Sequence, residues 1–282
     1  KRNLSYAYAV PSNRDIVKAF AESCAAVGVR LGIYYSVVSN EYLNVQGGIV
    51  RPVSTAQLGQ EVVTQDEYAE FVIQQLTELW TKYGDLAEIW FDGGFTVPSL
   101  QAKLLPLLKL AQPHAAIFGG CGLSTNAVAW IGTESGHAPY PVWNTQVGCS
   151  PGAGSSNGTA YLPKEVDLTL QNGDTWFFKE EVGYRSLAEM VSIYHDSVGH
   201  GGNMLLNVAP RPNSTLPDKA MQTYAQLGHF IRRCYGEGSM ASPSALATTR
   251  SGCSECMNIS LHLGARSTFD RFIIKEELRG GQ

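Results

Sequence analysis

Two acidic side chains carry the chemistry this sequence can do. Asp92 closes the segment Glu88-Ile-Trp-Phe-Asp-Gly-Gly94, where a short apolar run gives way to glycines, and Glu134 sits in a like setting in Ala129-Trp-Ile-Gly-Thr-Glu-Ser-Gly136. Side chains alternate along a strand, so Trp90 and Asp92 share one face, Ile89 and Phe91 share the other, and the glycines let the chain turn away. Trp130, Gly132 and Glu134 share a face in the same way if the extended conformation runs on. Two carboxylates flanking a scissile bond among aromatic residues are the minimum kit for glycoside hydrolysis: one attacks or stabilises, the other donates a proton. The competing reading of Asp92 is an Asp-Gly turn closing a hairpin, the usual meaning of that dipeptide between alternating apolar residues.

The preceding elements weaken the hairpin reading. Gln65 to Gly84 carries Tyr68, Phe71, Val72, Leu76, Leu79 and Trp80 at helical spacing, so the unit is helix, short turn, buried strand, carboxylate. The same grammar precedes Leu31 to Ser36: Asp15 to Ala26 reads as a helix closed by Gly28. On that strand Tyr34 and Ser36 share a face, opposite Ile33 and Tyr35. Tyr34 then either donates to a ligand hydroxyl or simply packs. Further strands are expected at Ala115 to Phe118, Ala129 to Gly132, Val166 to Leu170 and Met204 to Val208, and further helices at Leu100 to Gln112, Ser186 to Val198 and Asp218 to Tyr235.

The expected fold class is therefore α/β, a (β/α)8-like TIM barrel over residues 1–236. It is expected to be incomplete at its N-terminal side, because eight strands close such a barrel and six are found. Residues 237–251 read as a linker rich in Gly, Ser, Ala, Thr and Pro, and 252–282 as the beginning of an all-β sandwich, with strands at Asn258 to Leu263 and Phe269 to Glu277. The carboxylates lie about two strand-loop-helix steps apart, which suits one barrel rim.

Composition narrows the partners. The chain has 282 residues, 16% of them charged, and a net charge of -4, with no basic stripe to attract nucleic acid. No apolar run approaches the roughly 18 residues that span a bilayer. Four Asn-x-Ser/Thr sequons, at Asn3, Asn157, Asn213 and Asn258, together with six cysteines, favour the secretory route, secreted or lysosomal. No disulfide pairing follows from spacing alone, although Cys253-Ser-Glu-Cys256 suits a tight surface disulfide better than a half-zinc motif. No His/Asp/Glu cluster has metal-ligand spacing, so no cofactor is expected. His195 and His200 read as capping or packing residues, and Ser150 to Ser156 as a flexible rim loop without the Lys and helix of a phosphate loop. Glu165 and Asp167 are acidic and strand-adjacent; Asp167 supports the site or makes a structural salt bridge.

The segments Leu31-Gly-Ile-Tyr-Tyr-Ser36, Glu88-Ile-Trp-Phe-Asp-Gly-Gly94, Trp130-Ile-Gly-Thr-Glu-Ser-Gly136 and Gly202-Asn-Met-Leu-Leu-Asn-Val208 occur in the order seen in α-L-fucosidases of glycoside hydrolase family 29. Pro163-Lys-Glu-Val-Asp167 followed by Asp174-Thr-Trp-Phe-Phe178 resembles the family's segment before its last barrel strand, and Phe269 to Gln282 the start of its C-terminal sandwich. The resemblance covers nearly the whole chain. It implies a retaining exo-acting fucosidase on fucosylated oligosaccharides or glycoproteins, with Asp92 as nucleophile and Glu134 as acid/base. It further implies Tyr34, Trp90, Trp130 and Trp176 as substrate-binding residues. The Glu134 segment is similar to the subgroup that prefers branched α-1,3/4-linked fucose. Two departures stand out: Ala129 replaces a frequent Arg, and the family's His-His segment lies upstream of Lys1. These leave two other readings open, a weak or inactive carbohydrate-binding homologue and a retaining glycosidase for another sugar.

Overall fold

The computed structural model describes residues 15–95 and 97–235, and the backbone of Leu246–Arg250 and Met257–Leu261. Six strands form one sheet in the order of the sequence: β1 (Gly32–Tyr35), β2 (Glu88–Phe91), β3 (Ala116–Phe118), β4 (Ala127–Trp130), β5 (Lys164–Thr169) and β6 (Asn203–Asn207). The pairings of β1 with β2, β2 with β3, β3 with β4 and β4 with β5 are parallel. Asp92 therefore leaves a parallel strand and closes no hairpin.

Helices supply the crossovers. α1 (Ile16–Ala26) is capped by the Asp15 side chain, and α2 (Gln65–Thr81) by a reciprocal box between Thr64 and Glu67. α3 (Pro98–Ala111) starts on a proline, which needs no donor there. α4 (Leu187–Ser197) is capped by Ser186, and α5 (Asp218–Tyr235) has the span expected from its periodicity. Two crossovers carry no helix. Residues 119–126 join β3 to β4, and residues 131–163 join β4 to β5 with only a short ribbon of Thr145–Gln146 against Ala160–Tyr161.

The described residues fall into two compact units. The first takes those of Lys1–Thr133, Ala138–Val166 and His200–Asn203; the second those of Glu134–His137, Asp167–Gly199 and Met204–Gln282. In the first, Tyr68, Val72, Leu76 and Trp80 of α2 and Leu100, Leu104 and Leu108 of α3 bury against Ile89, Phe91 and Ile117, on the sheet face opposite Trp90. Each such side chain contributes roughly 1.5–3 kcal/mol through burial. In the second, Leu168 and Leu170 pack with Met190 and Ile193 of α4 and Ala220 and Leu227 of α5.

The other sheet face curls. Trp90 on β2 donates to Glu165 on β5 at 2.7 Å, although two strands lie between them and a flat sheet would set them about 14 Å apart at about 4.8 Å per strand. Parallel, helix-linked strands wrapped in this way are consistent with part of a (β/α) barrel.

Two expectations need correction. The strand expected at Ala129 to Gly132 ends at Trp130, because Gly132 adopts φ +98° and leaves the extended region. The shared face of Trp130, Gly132 and Glu134 therefore does not exist. Within the stretch 237–251 expected as a linker, Leu246–Arg250 forms a strand antiparallel to Met257–Leu261, as the β-branched pair Thr248–Thr249 favours. The strand expected at Phe269 to Glu277 lies outside the described residues.

Candidate active site

Register builds an aromatic row in the first unit. Tyr34 pairs with Trp90, and Trp90 with Phe118, across three adjacent parallel strands. Their rings stack, Tyr34 on Trp90 at 5.6 Å and Trp90 on Phe118 at 4.0 Å between centroids. Beyond the end of β2, Asp92 is exposed, and its Oδ2 accepts a short hydrogen bond from the Tyr34 hydroxyl. Burial of that hydroxyl, then the hydrogen bond and charge of Asp92, hold Tyr34 well above the ordinary phenol range, so it acts as a donor. The backbone N–H of Asp92 donates to Tyr35 O at 3.2 Å, which fixes the start of the turn. Gly119 makes that turn fit: it has φ +70°, and a Cβ there would lie 2.9 Å from Phe91 O.

Glu165 lies beneath the row and is fully buried. One of its oxygens accepts from Trp90 Nε1 and the other from Asn203 Nδ2 at 2.6 Å. Burial of its carboxyl group pushes the half-buried Glu88 up to about 8, reinforced by the charge of Glu165. Burial likewise raises Glu165, opposed by the hydrogen bonds from Trp90 and Asn203. Trp130 is half-buried on β4 opposite Glu165 in register. Asp167 is buried on the same strand.

Glu134 and Trp176 come together in the second unit, where Trp176 Nε1 donates to Glu134 Oε2 at 2.8 Å. Asn207 Nδ2 in turn donates to Trp176 O at 2.9 Å. The Glu134 segment lies directly on the core of this unit: Ser135 bridges Leu168, and Gly136 has φ +81° with room for no Cβ, which would stand 2.8 Å from Ile193 and Leu168. The neighbouring His137 pairs with Asp196 at 2.9 Å. Thus Tyr34, Trp90, Trp130 and Asp92 belong to the first unit, and Glu134 and Trp176 to the second.

The other expected features resolve locally. The Ser150 to Ser156 loop is cross-linked rather than free, since Cys149 is disulfide-bonded to Cys121 and Gln146 donates to Ser150 O. Lys164, fully buried, donates to Gln146. His195 contacts the Tyr235 hydroxyl at 2.6 Å and His200 the Ala138 carbonyl at 2.8 Å, both as packing residues. Ala129 packs with Ala127 and Leu162. Asn157 and Asn213 are exposed in turns, whereas Asn3, the Asn258 side chain, Cys253 and Cys256 lie outside the described residues. Among the described residues, no helix is long and apolar enough to cross a membrane.

Sequence reasoning missed Glu88 and Asn203, and it gave Glu165 no role. The available signal was Lys164-Glu-Val-Asp167, where charged side chains occupy both faces of a strand that must be buried.

Comparison with known proteins places this arrangement. The family model described as alpha-L-fucosidase matches residues 3–237. Alpha-L-fucosidase 1 of Arabidopsis thaliana is 28% identical over 231 residues, which are 70% of this chain and 45% of that protein. The chain thus spans about half the length of the curated relatives it matches. A crystal structure of a candidate alpha-L-fucosidase from Bacteroides thetaiotaomicron VPI-5482 superposes with a TM-score of 0.66 at 26% identity, over 83% of this chain and 55% of that one. A glycoside hydrolase 29 fucosidase of Ruminococcus gnavus, solved in complex with fucose, shares the fold at a TM-score of 0.62 and 22% identity, over 83% of this chain and 50% of that one. The chain belongs to the alpha-L-fucosidase family.

Proposed function

We propose that the protein carrying this chain is a retaining exo-α-L-fucosidase that removes terminal fucose from oligosaccharides or glycoproteins. The observation that carries this reading is Asp92: an exposed carboxylate at the end of a parallel strand, gripped by Tyr34 and set beside a stacked aromatic row. The Asp92 carboxylate attacks the anomeric carbon as the bond to the leaving oxygen breaks, and Glu134 gives that oxygen its proton. Water then attacks the glycosyl ester, Glu134 takes the water's proton, and Asp92 departs. Two inversions retain the configuration. Tyr34 orients the attacking carboxylate, Trp90 and Trp130 offer apolar surface to the sugar, and Trp176 holds Glu134 by one oxygen while leaving the other for proton transfer.

The secretory route fits the exposed sequons and the disulfide. The ribbon of Leu246–Arg250 and Met257–Leu261 would belong to a C-terminal β-sandwich after a barrel domain ending near residue 236. A panel of aryl glycosides tests the function. Release from the α-L-fucoside alone, lost in Asp92→Gly and partly restored by azide, is expected. Hydrolysis of another glycoside in preference, or fucose binding without turnover, would overturn it.

A further inference from the structure

Glu165 has no part in the reaction just described, yet it is an acidic residue with no exposed surface. Burying a carboxylate is costly unless its oxygens are hydrogen-bonded. Here each oxygen accepts from an uncharged donor on another strand: Oε1 from Trp90 Nε1 on β2 at 2.7 Å, and Oε2 from Asn203 Nδ2 on β6 at 2.6 Å. A protonated carboxyl would turn one oxygen into a donor, so acceptance at both calls for the ionised form. All three residues belong to the first unit, with Tyr34 and Asp92.

What depends on this anchor is the Tyr34 ring. Tyr34 is 60% exposed, lies outside the core cluster and sits on β1, where the sheet of described strands ends, so burial does not place it. Its hydroxyl nevertheless meets Asp92. The ring is set by its stack on Trp90, at 5.6 Å with the planes 16° apart. Trp90 is itself stacked on Phe118 at 4.0 Å. Stacked rings slide and turn in their own planes at little cost, whereas a hydrogen bond from the single polar atom of an indole selects one orientation.

We propose that Glu165 is a positioning residue: held by Asn203, it fixes the Trp90 indole, and through the ring stack it places the Tyr34 hydroxyl on Asp92. The consequence for catalysis rests on the proposed role of Asp92; the link from Glu165 to Tyr34 does not. The position then requires a hydrogen-bond acceptor rather than volume. Leucine at 165 fills the space and accepts nothing. Glutamine keeps a carbonyl oxygen for Trp90, and its amide faces Asn203, whose own amide turns to accept.

The first readout needs no substrate. With tyrosine labelled at Cζ and tryptophan at the indole nitrogen, the Tyr34 and Trp90 signals are identified in magnetic resonance spectra by their absence from Tyr34→Phe and Trp90→Phe. Both should shift in Glu165→Leu and return toward their parent positions in Glu165→Gln. Trp90→Phe, which leaves Glu165 in place, should also displace the Tyr34 signal, so the same link is tested if Glu165→Leu fails to fold. A Tyr34 signal indifferent to Glu165→Leu or to Trp90→Phe would overturn the proposal. On an aryl α-L-fucoside, Glu165→Leu should lower kcat about 10²-fold, as for a nucleophile misplaced by about 1 Å, with KM far less affected. Glu165→Gln should bring kcat back to within about tenfold of the parent. An equal loss in both variants would show that the charge matters rather than the hydrogen bond, and would refute the positioning role. Failure of the fucosidase reading alone would remove the rates and leave the magnetic resonance shifts in place.

Discussion

Replacing Trp90 by phenylalanine isolates what Glu165 does. The substitution keeps a ring over Phe118, 4.0 Å away, but deletes the Nε1 donor to a fully buried carboxylate. A hydrogen bond to a charged group contributes about 1.5–3 kcal/mol. The smaller ring also leaves a void of roughly 40 Å³, which at about 24 cal/mol per Å³ costs about 1 kcal/mol. Trp90→Phe should therefore destabilise the fold by about 2.5–4 kcal/mol. Urea unfolding at pH 6 measures the change as a shift in midpoint. The decisive comparison is a cycle with Glu165→Leu, which fills the same space but accepts nothing. In that background Trp90→Phe should cost only the void, so the coupling energy should be about 1.5–3 kcal/mol. An equal cost in both backgrounds, with coupling under about 0.5 kcal/mol, would refute the reasoning that a buried charge makes this hydrogen bond strong.

Other consequences can be checked separately. Glu134→Ala should damage hydrolysis of natural glycans by about 10²-fold or more, yet spare aryl fucosides with good leaving groups, since only a poor leaving group needs protonation; equal losses on both substrate types would make Glu134 structural. Removing the Cys121–Cys149 cross-link by a double Ser substitution frees a loop with a sequence separation of 28. That should lower unfolding stability by about 3.5 kcal/mol, and no change in a calorimetric or urea measurement would show that the loop is held by Lys164, Gln146 and its packing alone.

Much of the frame was legible because local signals agreed. The apolar stripe of α2 fixed a helix before β2, and alternation in Glu88 to Phe91 put Ile89 and Phe91 in the core with Trp90 on the opposite face. A parallel sheet then followed from repetition of the unit. The Glu134 strand was misplaced because Ile131 and the residues before it are uniformly apolar, so alternation gave no end, whereas the backbone turns at Gly132. Glu88 and Glu165 escaped notice for a different reason. Sequence pattern treats an acid on a strand as solvated or salt-bridged, and only the curl of the sheet brings β2 and β5 together so that Trp90 and Asn203 satisfy Glu165. Tyr34 shows the same limit: alternation gave its face, while its bond to Asp92 depends on the register of β1 against β2.

The central claim, that Asp92 is the nucleophile of a double displacement, is tested most directly by trapping the intermediate. The protein is incubated with a fluorinated fucosyl donor whose glycosyl ester turns over slowly, digested, and its peptides are sequenced by mass spectrometry. One fluorofucosyl residue attached to Asp92, and none in the Asp92→Gly variant, is the expected result. Attachment to Glu134 or Glu165, or hydrolysis of an aryl fucoside with inverted anomeric configuration and no trapped ester, would contradict it.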